Sequence, residues 1–327
     1  VVVCAGAEAT IKLIRNEAGS IDPAFRVSCP AGHTRGRFPV DDDQSLHRGA
    51  ARSRTRAGLP GVMKLRLELL LTALSHDQRR KLFSVLRPGK FRAIQRMRTA
   101  GSADSSAYTF EPFDRYQCIF VHIPKTAGVS ICRTLFGNLA GGHTALQRYQ
   151  VVFDKNDFDR YFKFAFVRNP WDRLYSAYRF LVRGGMGGRD GEWAKRYLSA
   201  YPAFDRFVME AAGRREILRY KHFTPQVEFL RNLDSGEVTL DFLGYFENLQ
   251  GDFAGVAERI RPGEAVELAR QNASVPSGKE TYLDRYSNEM IEKVALVYED
   301  DIRMFGYRFD NGNLAEQIRT RDRIYGV

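Results

Sequence analysis

Twice within residues 118–183 the chain runs from a short apolar stretch through a polar turn into a helical pattern. This doubled strand–turn–helix limits the fold more than any other feature. Residues 118–123 read as a buried strand, followed by a Pro-Lys-Thr-Ala-Gly turn and a helix from about Ser130. Residues 163–167 read as a second strand, with a helix over 171–183. Residues 184–191 read as a glycine-rich loop, 203–212 and 227–233 as helices, 238–246 as another strand, and 288–305 as a terminal amphipathic helix. No internal repeat is visible. Strands alternating with helices predict an α/β domain with a parallel sheet covered on both faces.

Both turns suit phosphate. In the first, Ile123-Pro124-Lys125-Thr126-Ala127-Gly128-Val129-Ser130, a helix begins within a few residues of the strand end. The free N–H groups and the dipole of a helix start favour an anion. Lys125 adds a point charge, Thr126 and Ser130 add hydroxyls, and Gly128 allows close backbone approach. The leading glycine and four-residue spacer of a Walker A loop are missing, which disfavours a magnesium-coupled triphosphate site. In the second turn, Asn169 suits an N-cap and Pro170 the first helical position. Arg168 leaves a strand where ligands bind in open α/β sheets. Taking Arg173 as 0° on a helical wheel, Ser176, Arg179 and Arg183 fall between 240° and 300°, while Ala177, Leu181, Leu174 and Tyr178 fall between 40° and 140°. Arg168 and Ser176, near the helix start, are read as phosphate ligands. Arg179 and Arg183 are read as a solvated face.

The formal charge of +11 is unevenly placed. Residues 1–62 hold 9 Lys+Arg against 6 Asp+Glu, residues 63–100 hold 10 against 2, and residues 101–327 hold 31 against 31. The excess therefore belongs to the first 100 residues, and a basic pI is no argument for a nucleic-acid partner of the α/β region. Residues 1–62 show no sustained period and read as a disordered extension. The first methionine is Met63, so an over-extended reading frame is one explanation of residues 1–62; peptides from them in the natural protein would refute it. Residues 63–112 read as a basic helical segment and linker. Leu67, Leu70, Leu71 and Leu74 share a helix face, Ser75 and Gln78 have capping-box spacing, and Pro88-Gly89 marks a stop. That segment reads as a helix pair packed on the main domain, with peripheral membrane contact through residues 63–98 as the sharper alternative. Residues 113–327 read as the main domain. No apolar run spans a bilayer and no secretory signal opens the chain. Cys4, Cys29, Cys118 and Cys132 have neither disulfide-framework nor zinc spacing, so a reducing compartment is expected.

Together the two loops resemble the signature of PAPS-dependent sulfotransferases of the carbohydrate (type 2) family; PAPS is 3′-phosphoadenosine 5′-phosphosulfate. The stretch from His122 to Ser130 is similar to the family's 5′-phosphosulfate loop, and the stretch from Phe166 to Tyr178 to its 3′-phosphate element. His222-Phe-Thr-Pro-Gln226, Phe246-Glu-Asn-Leu249 and residues 301–307 are similar to further family segments. The resemblance covers roughly residues 116–309. Val129 stands where the family usually has a hydroxyl residue. The resemblance implies a P-loop-like three-layer sandwich with a central, mostly parallel sheet. It implies that Lys125 contacts the phosphosulfate and offsets charge on the leaving phosphate. Thr126, Ala127, Gly128, Val129 and Ser130 would cradle that group, and Arg168 and Ser176 would hold the 3′-phosphate. Lysine and arginine supply the positive charge, so no metal is expected.

Sulfuryl transfer to an alcohol needs a base for the hydroxyl proton and cationic help at the leaving oxygen. His143, in a Gly-Gly-His-Thr-Ala connection, is similar in position to the family's catalytic histidine and is the first choice as base. His122, beside the loop, reads as a structural neighbour, His222 as part of a pocket wall, and Glu228 as helix-surface charge. The expected acceptor is a hydroxyl of a glycan or glycolipid. A cytoplasmic, soluble enzyme is expected, with no nucleic-acid partner. An ATP-dependent small-molecule kinase and a basic membrane- or nucleic-acid-binding protein with a degenerate nucleotide site are the competing readings. The acceptor's identity and the oligomeric state are not readable from the sequence.

Overall fold

The computed structural model describes residues 74–268 and 281–326. The expectations for residues 1–62, for Leu67, Leu70 and Leu71, and for Cys4 and Cys29 lie outside the described residues. Among the described residues, α1 (His76–Leu86) and α2 (Pro88–Thr99) come first. Ser75 caps α1 as its spacing predicts: the Gln78 N–H donates to Ser75 Oγ, and the Ser75 N–H donates to Gln78 Oε1. Pro88 does not end helical structure here. Helix α1 stops before it, and Pro88 opens α2, where a missing N–H costs nothing. A short helix, α3 (Glu111–Tyr116), occupies the end of the expected linker, so the boundary drawn at 112/113 falls inside it.

The α/β core follows as β1 (Cys118–Val121), α4 (Gly128–Phe136), α5 (Leu146–Val152), α6 (Lys155–Arg160), β2 (Phe162–Val167) and α7 (Pro170–Val182). Then come α8 (Gly188–Tyr197), α9 (Phe204–Glu210), α10 (Arg215–Leu218), α11 (Val227–Leu230), β3 (Phe242–Tyr245) and α12 (Leu249–Ile260). The expected glycine loop is therefore shorter than residues 184–191, because α8 takes over at Gly188. The helix expected over 288–305 is two, α13 (Asn288–Val297) and α14 (Glu299–Phe305), and it is not terminal: α15 (Leu314–Tyr325) follows.

The three strands are parallel in the order β1-β2-β3, with Val121 opposite Ala165 and Val167 opposite Tyr245. Successive strand residues point to opposite faces, yet every residue of β1 and β3, and all of β2 but its first, is buried. Both faces are thus covered, as parallel sheets require. The third strand is shorter than expected because Val238 pairs with Arg231 in an isolated antiparallel bridge. The core is rich in aromatic contacts: Phe120 stacks on Phe164 at 4.8 Å, and Phe110 and Phe113 meet Tyr149 edge-on at 5.9 and 5.7 Å.

Helices α1 and α2 pack onto this core. His76 Nε2 lies 3.0 Å from the Phe153 carbonyl, and Arg79 pairs with Asp234. Arg98 bridges Asp114 and Asp157, the former at 2.6 Å. Among the described residues no helix is long and apolar enough to cross a membrane.

Because the strands are parallel, their C-terminal ends share one edge. That edge delivers His122 and the 123–130 loop from β1, Arg168 and Asn169 from β2, and Phe246 and Glu247 from β3. A strand switching into a helix at such an edge leaves backbone N–H groups and polar side chains facing a crevice.

Candidate active site

The first loop is built from backbone that resists ordinary side chains. Lys125 (φ 74°) and Ala127 (φ 65°) both adopt the left-handed region, and no side chain caps α4. Three loop carbonyls are held by donors: Ile123 O accepts from the Thr126 hydroxyl at 2.9 Å, Pro124 O from Arg173 Nε at 3.0 Å, and Lys125 O from Arg168 Nη1 at 3.1 Å. With these acceptors engaged, the uncapped helix start is the electropositive end of the loop, suited to an anion. Thr126 is fully buried and gives its hydroxyl proton to the Ile123 carbonyl, so its backbone is what it presents to a ligand. Ser130 is buried and Val129 half-buried on the first turn of α4.

Gly128 allows a close approach, but the neighbour that demands it is a protein side chain. A Cβ there would lie 1.9 Å from Cδ2 of His122. The glycine is thus fixed by the packing of His122 as well as by its helix-start position.

The second loop is stitched to the first. Arg168 Nη2 pairs with Asp172 Oδ2 at 2.8 Å, its guanidinium covers the Phe246 ring at 4.1 Å, and Nη1 reaches Lys125 O. Gln226 clamps the Arg168 backbone from both sides: its Oε1 accepts from Arg168 N at 2.9 Å and its Nε2 donates to Arg168 O at 2.8 Å. Asn169 caps α7 by accepting from Trp171 N, and its own N–H donates to Glu247 at 2.7 Å. Burial raises the Glu247 carboxyl, against hydrogen bonding from Asn169 and Tyr307. Ser176 is half-buried on the second turn of α7.

Arg173 is the main surprise on α7. On the helical wheel it lies between the polar and apolar faces, but it is 1% exposed and spans Pro124 O and Thr224 O. It lay 40° from Ala177 on the wheel, at the border of the apolar face, and the domain closes over that border. Arg173 is a strut between loops, its guanidinium fully buried, whereas Lys125 and Arg168 are half-buried at the crevice.

His143 joins the same edge from the connection after α4. Its Nδ1 lies 3.2 Å from the His122 carbonyl. A carbonyl only accepts, so Nδ1 carries the proton and Nε2 holds the lone pair. The His143 ring lies 4.2 Å from His122 and 5.9 Å from His222. His222 packs on Phe180 at 5.1 Å, and Lys125 Nζ lies over that same Phe180 ring at 4.1 Å. The structure therefore brings Lys125, His143, His122 and His222 into one cluster.

Burial dominates the charges here. It pushes His143 well below the ordinary histidine value, helped by the neighbouring imidazoles and Lys221. His122 is pushed down to about 3 and His222 to about 4. Burial, then Arg168, lowers the Lys125 ammonium to about 8. Asp190, in the first turn of α8, faces His222 Nε2 at 3.7 Å. Burial would raise its carboxyl, but His222, Tyr220 and Lys221 together hold it below the ordinary carboxylate range. Among the described residues no cluster of metal-ligating side chains is present.

Sequence reasoning missed Asp190, the Gln226 clamp and Asp301. The buried Asp301 carboxylate accepts from the backbone N–H of Gln226 and Val227 at 2.8 and 2.9 Å and thereby holds the clamp in place. Burial raises this carboxyl to about 6, against the nearby Arg173 and those hydrogen bonds. The segments of Gln226 and Asp301 were marked by resemblance, but a side chain that holds backbone 58 or 75 residues away leaves no local pattern.

A protein-family model described as Sulfotransferase family matches residues 109–308. Carbohydrate sulfotransferase 14 of Danio rerio is 25% identical over 229 residues, covering 61% of this chain and 62% of that protein. The Homo sapiens protein of the same name is 26% identical over 230 residues, covering 61% and 60%. An uncharacterized protein of Archaeoglobus fulgidus is 28% identical over 120 residues, covering 37% of this chain and 84% of that protein. The chain spans about three fifths of the length of the curated sulfotransferases it matches. No solved structure matches it. The matched region contains both phosphate-type loops, the Gln226 clamp and the histidine cluster, and the chain belongs to the sulfotransferase family.

Proposed function

We propose that this protein transfers a sulfuryl group from PAPS to a hydroxyl of a glycan or glycolipid-like acceptor. The observation that carries this reading is the meeting of an uncapped helix start, Lys125 and a correctly tautomeric His143 at one sheet edge. The residues fit the donor: the α4 start and Lys125 suit a phosphosulfate, and Arg168 suits a further phosphate. The names of the curated relatives support a carbohydrate acceptor.

When bound, PAPS supplies an activated sulfuryl group on a phosphate leaving group. His143 takes the acceptor's hydroxyl proton at Nε2 while Nδ1–H stays on the His122 carbonyl. Lys125 and the α4 N–H groups offset charge on the departing phosphate. Arg168 and Ser176 hold the 3′-phosphate that distinguishes this donor from ATP. Burial of His122 and His222 limits water beside His143, which would otherwise compete with the acceptor.

The test separates binding from chemistry. His143→Ala should abolish transfer of labelled sulfate while PAP, the desulfated product, still binds by calorimetry. Lys125→Ala and Arg168→Ala should weaken PAP binding itself. Tighter binding of ATP than of PAP would overturn the reading in favour of a kinase. An acceptor screen with labelled PAPS then identifies the sugar.

A further inference from the structure

The histidine cluster has a counter-ion, and that counter-ion stands in the first turn of α8, next to the glycine turn. Asp190 is 6% exposed. Its Oδ1 accepts from the Tyr220 hydroxyl and lies 3.7 Å from Lys221 Nζ. Its Oδ2 accepts from the Met186 N–H at 3.3 Å and lies 3.7 Å from His222 Nε2. At 3.7 Å the last is a charge contact, not a hydrogen bond. Both ring nitrogens of His222 are buried without a hydrogen-bond partner. The turn is shaped around the carboxylate: Gly185 has φ 61°, and a Cβ there would lie 2.4 Å from Asp190 Cβ.

We propose that Asp190 is a positioning residue for sulfuryl transfer, acting through His222 as the counter-ion of the His122–His143–His222 cluster and anchoring the turn at residues 184–187 beside it. The kinetic part of this rests on the function proposed above.

The physical need is plain. When His143 accepts the acceptor's proton, an imidazolium forms among two other imidazoles, Lys125 and Lys221. Among the described residues Asp190 is the one carboxylate within ion-pair distance of this group. Its negative charge favours the protonated His222 and the charged Lys125. The other titratable groups that face it are Arg189 on its own helix, Tyr220 and Lys221 beside His222, and Tyr108 from the segment before α3. Apart from the weakly acidic tyrosines these are cations or imidazoles, so no neighbour substitutes for its charge.

The same carboxylate ties this charge to the shape of the turn. Met186, 84% exposed, stands at the outer surface of the turn, and its backbone is fastened to Asp190 underneath. A protonated or missing Asp190 therefore loosens the turn and strips the cluster of its anion at once.

Two variants separate those effects. Asp190→Asn keeps the shape and removes the charge. Tyr220→Phe keeps the charge and removes a hydrogen bond to Oδ1. Imidazole NMR of the unliganded protein is the first readout. In Asp190→Asn the His222 titration should move to lower pH, and in Tyr220→Phe it should stay close to the parent's. An unmoved His222 titration in Asp190→Asn overturns the counter-ion role, whatever the enzyme does. The second readout is kinetic. Asp190→Asn should lower kcat by about tenfold or more, since general-base catalysis contributes about 10² to 10⁴, while PAP affinity is retained. The alkaline limb of its kcat/KM profile should move to lower pH, because Lys125 loses a supporting anion. Asp190→Glu should restore that limb. Equal losses in Asp190→Asn and Tyr220→Phe with unshifted pH profiles would reduce Asp190 to a structural anchor and overturn the proposal. If the parent protein fails to bind PAP while the His222 titration still moves, the sulfotransferase reading falls and the counter-ion role stands.

Discussion

The proposed base, His143, is oriented by its neighbour's backbone. The His122 carbonyl fixes the proton on Nδ1, and the ring's lowered proton affinity keeps Nε2 free at neutral pH. The pH profile follows from these groups. A base acts when unprotonated, and His143 lies below the ordinary histidine value, so the acidic limb of kcat/KM should lie below pH 6.5. Lys125 acts when protonated and titrates at about 8, so the alkaline limb should fall near pH 8. A bound anion favours the charged lysine, so the limb of kcat should lie higher than that of kcat/KM. Initial rates from pH 5 to 10 test both limbs; an alkaline limb unchanged in Lys125→Arg would remove Lys125 from the assignment. Gly128→Ala is the sharpest steric probe. Its Cβ collides with the His122 ring, whose backbone orients His143. Overpacking of this kind costs about 1–3 kcal/mol. The expected result is a lower melting temperature together with a loss of kcat. Lys125, Arg168, Gly128 and His143 were legible because each sits in or near a motif with its own local chemistry. The burial of Arg173 was not legible because an isolated helix has no inside: at the border of its apolar face, only the packing of residues 124 and 224 decides that the guanidinium is buried.

At the scale of elements, the site is a property of strand ends rather than of either loop alone. The strands and the two strand–helix turns were legible as alternating texture. Their juxtaposition was not, because it depends on the β1-β2-β3 order and parallel register. That order is what lets a β2 arginine hold a β1 carbonyl and lie on a β3 phenylalanine. Gln226 is where this assembly is most exposed to mutation. Fully buried, it satisfies both the N–H and the carbonyl of Arg168. In Gln226→Ala those groups lose their partners, and each buried unsatisfied group costs about 1–3 kcal/mol. Chemical denaturation should show a loss of about 2 kcal/mol or more. PAP affinity should fall with it, although no atom of Gln226 is assigned to the ligand. Gln226→Glu is the informative companion. It keeps an acceptor for the N–H but has no donor for the carbonyl, and at neutral pH it adds a negative charge beside Arg168. Affinity equal to the parent's in both variants would show that the clamp does not set the position of Arg168.

For the whole molecule, the uneven charge acquires a structural meaning in its described part. Residues 101–327 balance at 31 and 31, and the basic segment before them includes arginines that are spent on acids of the core. Arg79 meets Asp234, and Arg98 meets Asp114 and Asp157 while covering the Phe153 ring at 4.7 Å. Tyr161 donates to the same Asp114 at 2.6 Å. Helices α1 and α2 are thus bound to the α/β core by specific pairs, so their charge is not all available to a polyanion. Composition alone showed where the excess lay but not that part of it is neutralised across a distance of 59 or 155 residues. Arg98 is the test. Its side chain is 16% exposed, between the surface pairs worth about 0–1 kcal/mol and the buried ones that cost about 3–5 kcal/mol when broken. Arg98→Ala leaves two carboxylates facing each other, so a loss of about 2 kcal/mol is expected. For a protein of this size that lowers the melting temperature by about 4–8 °C. The loss should persist in 1 M salt, where the Debye length is about 3 Å and solvent-exposed pairs are screened. A difference that disappears in high salt would return Arg98 to the class of surface charges and free α2's charge for an external partner.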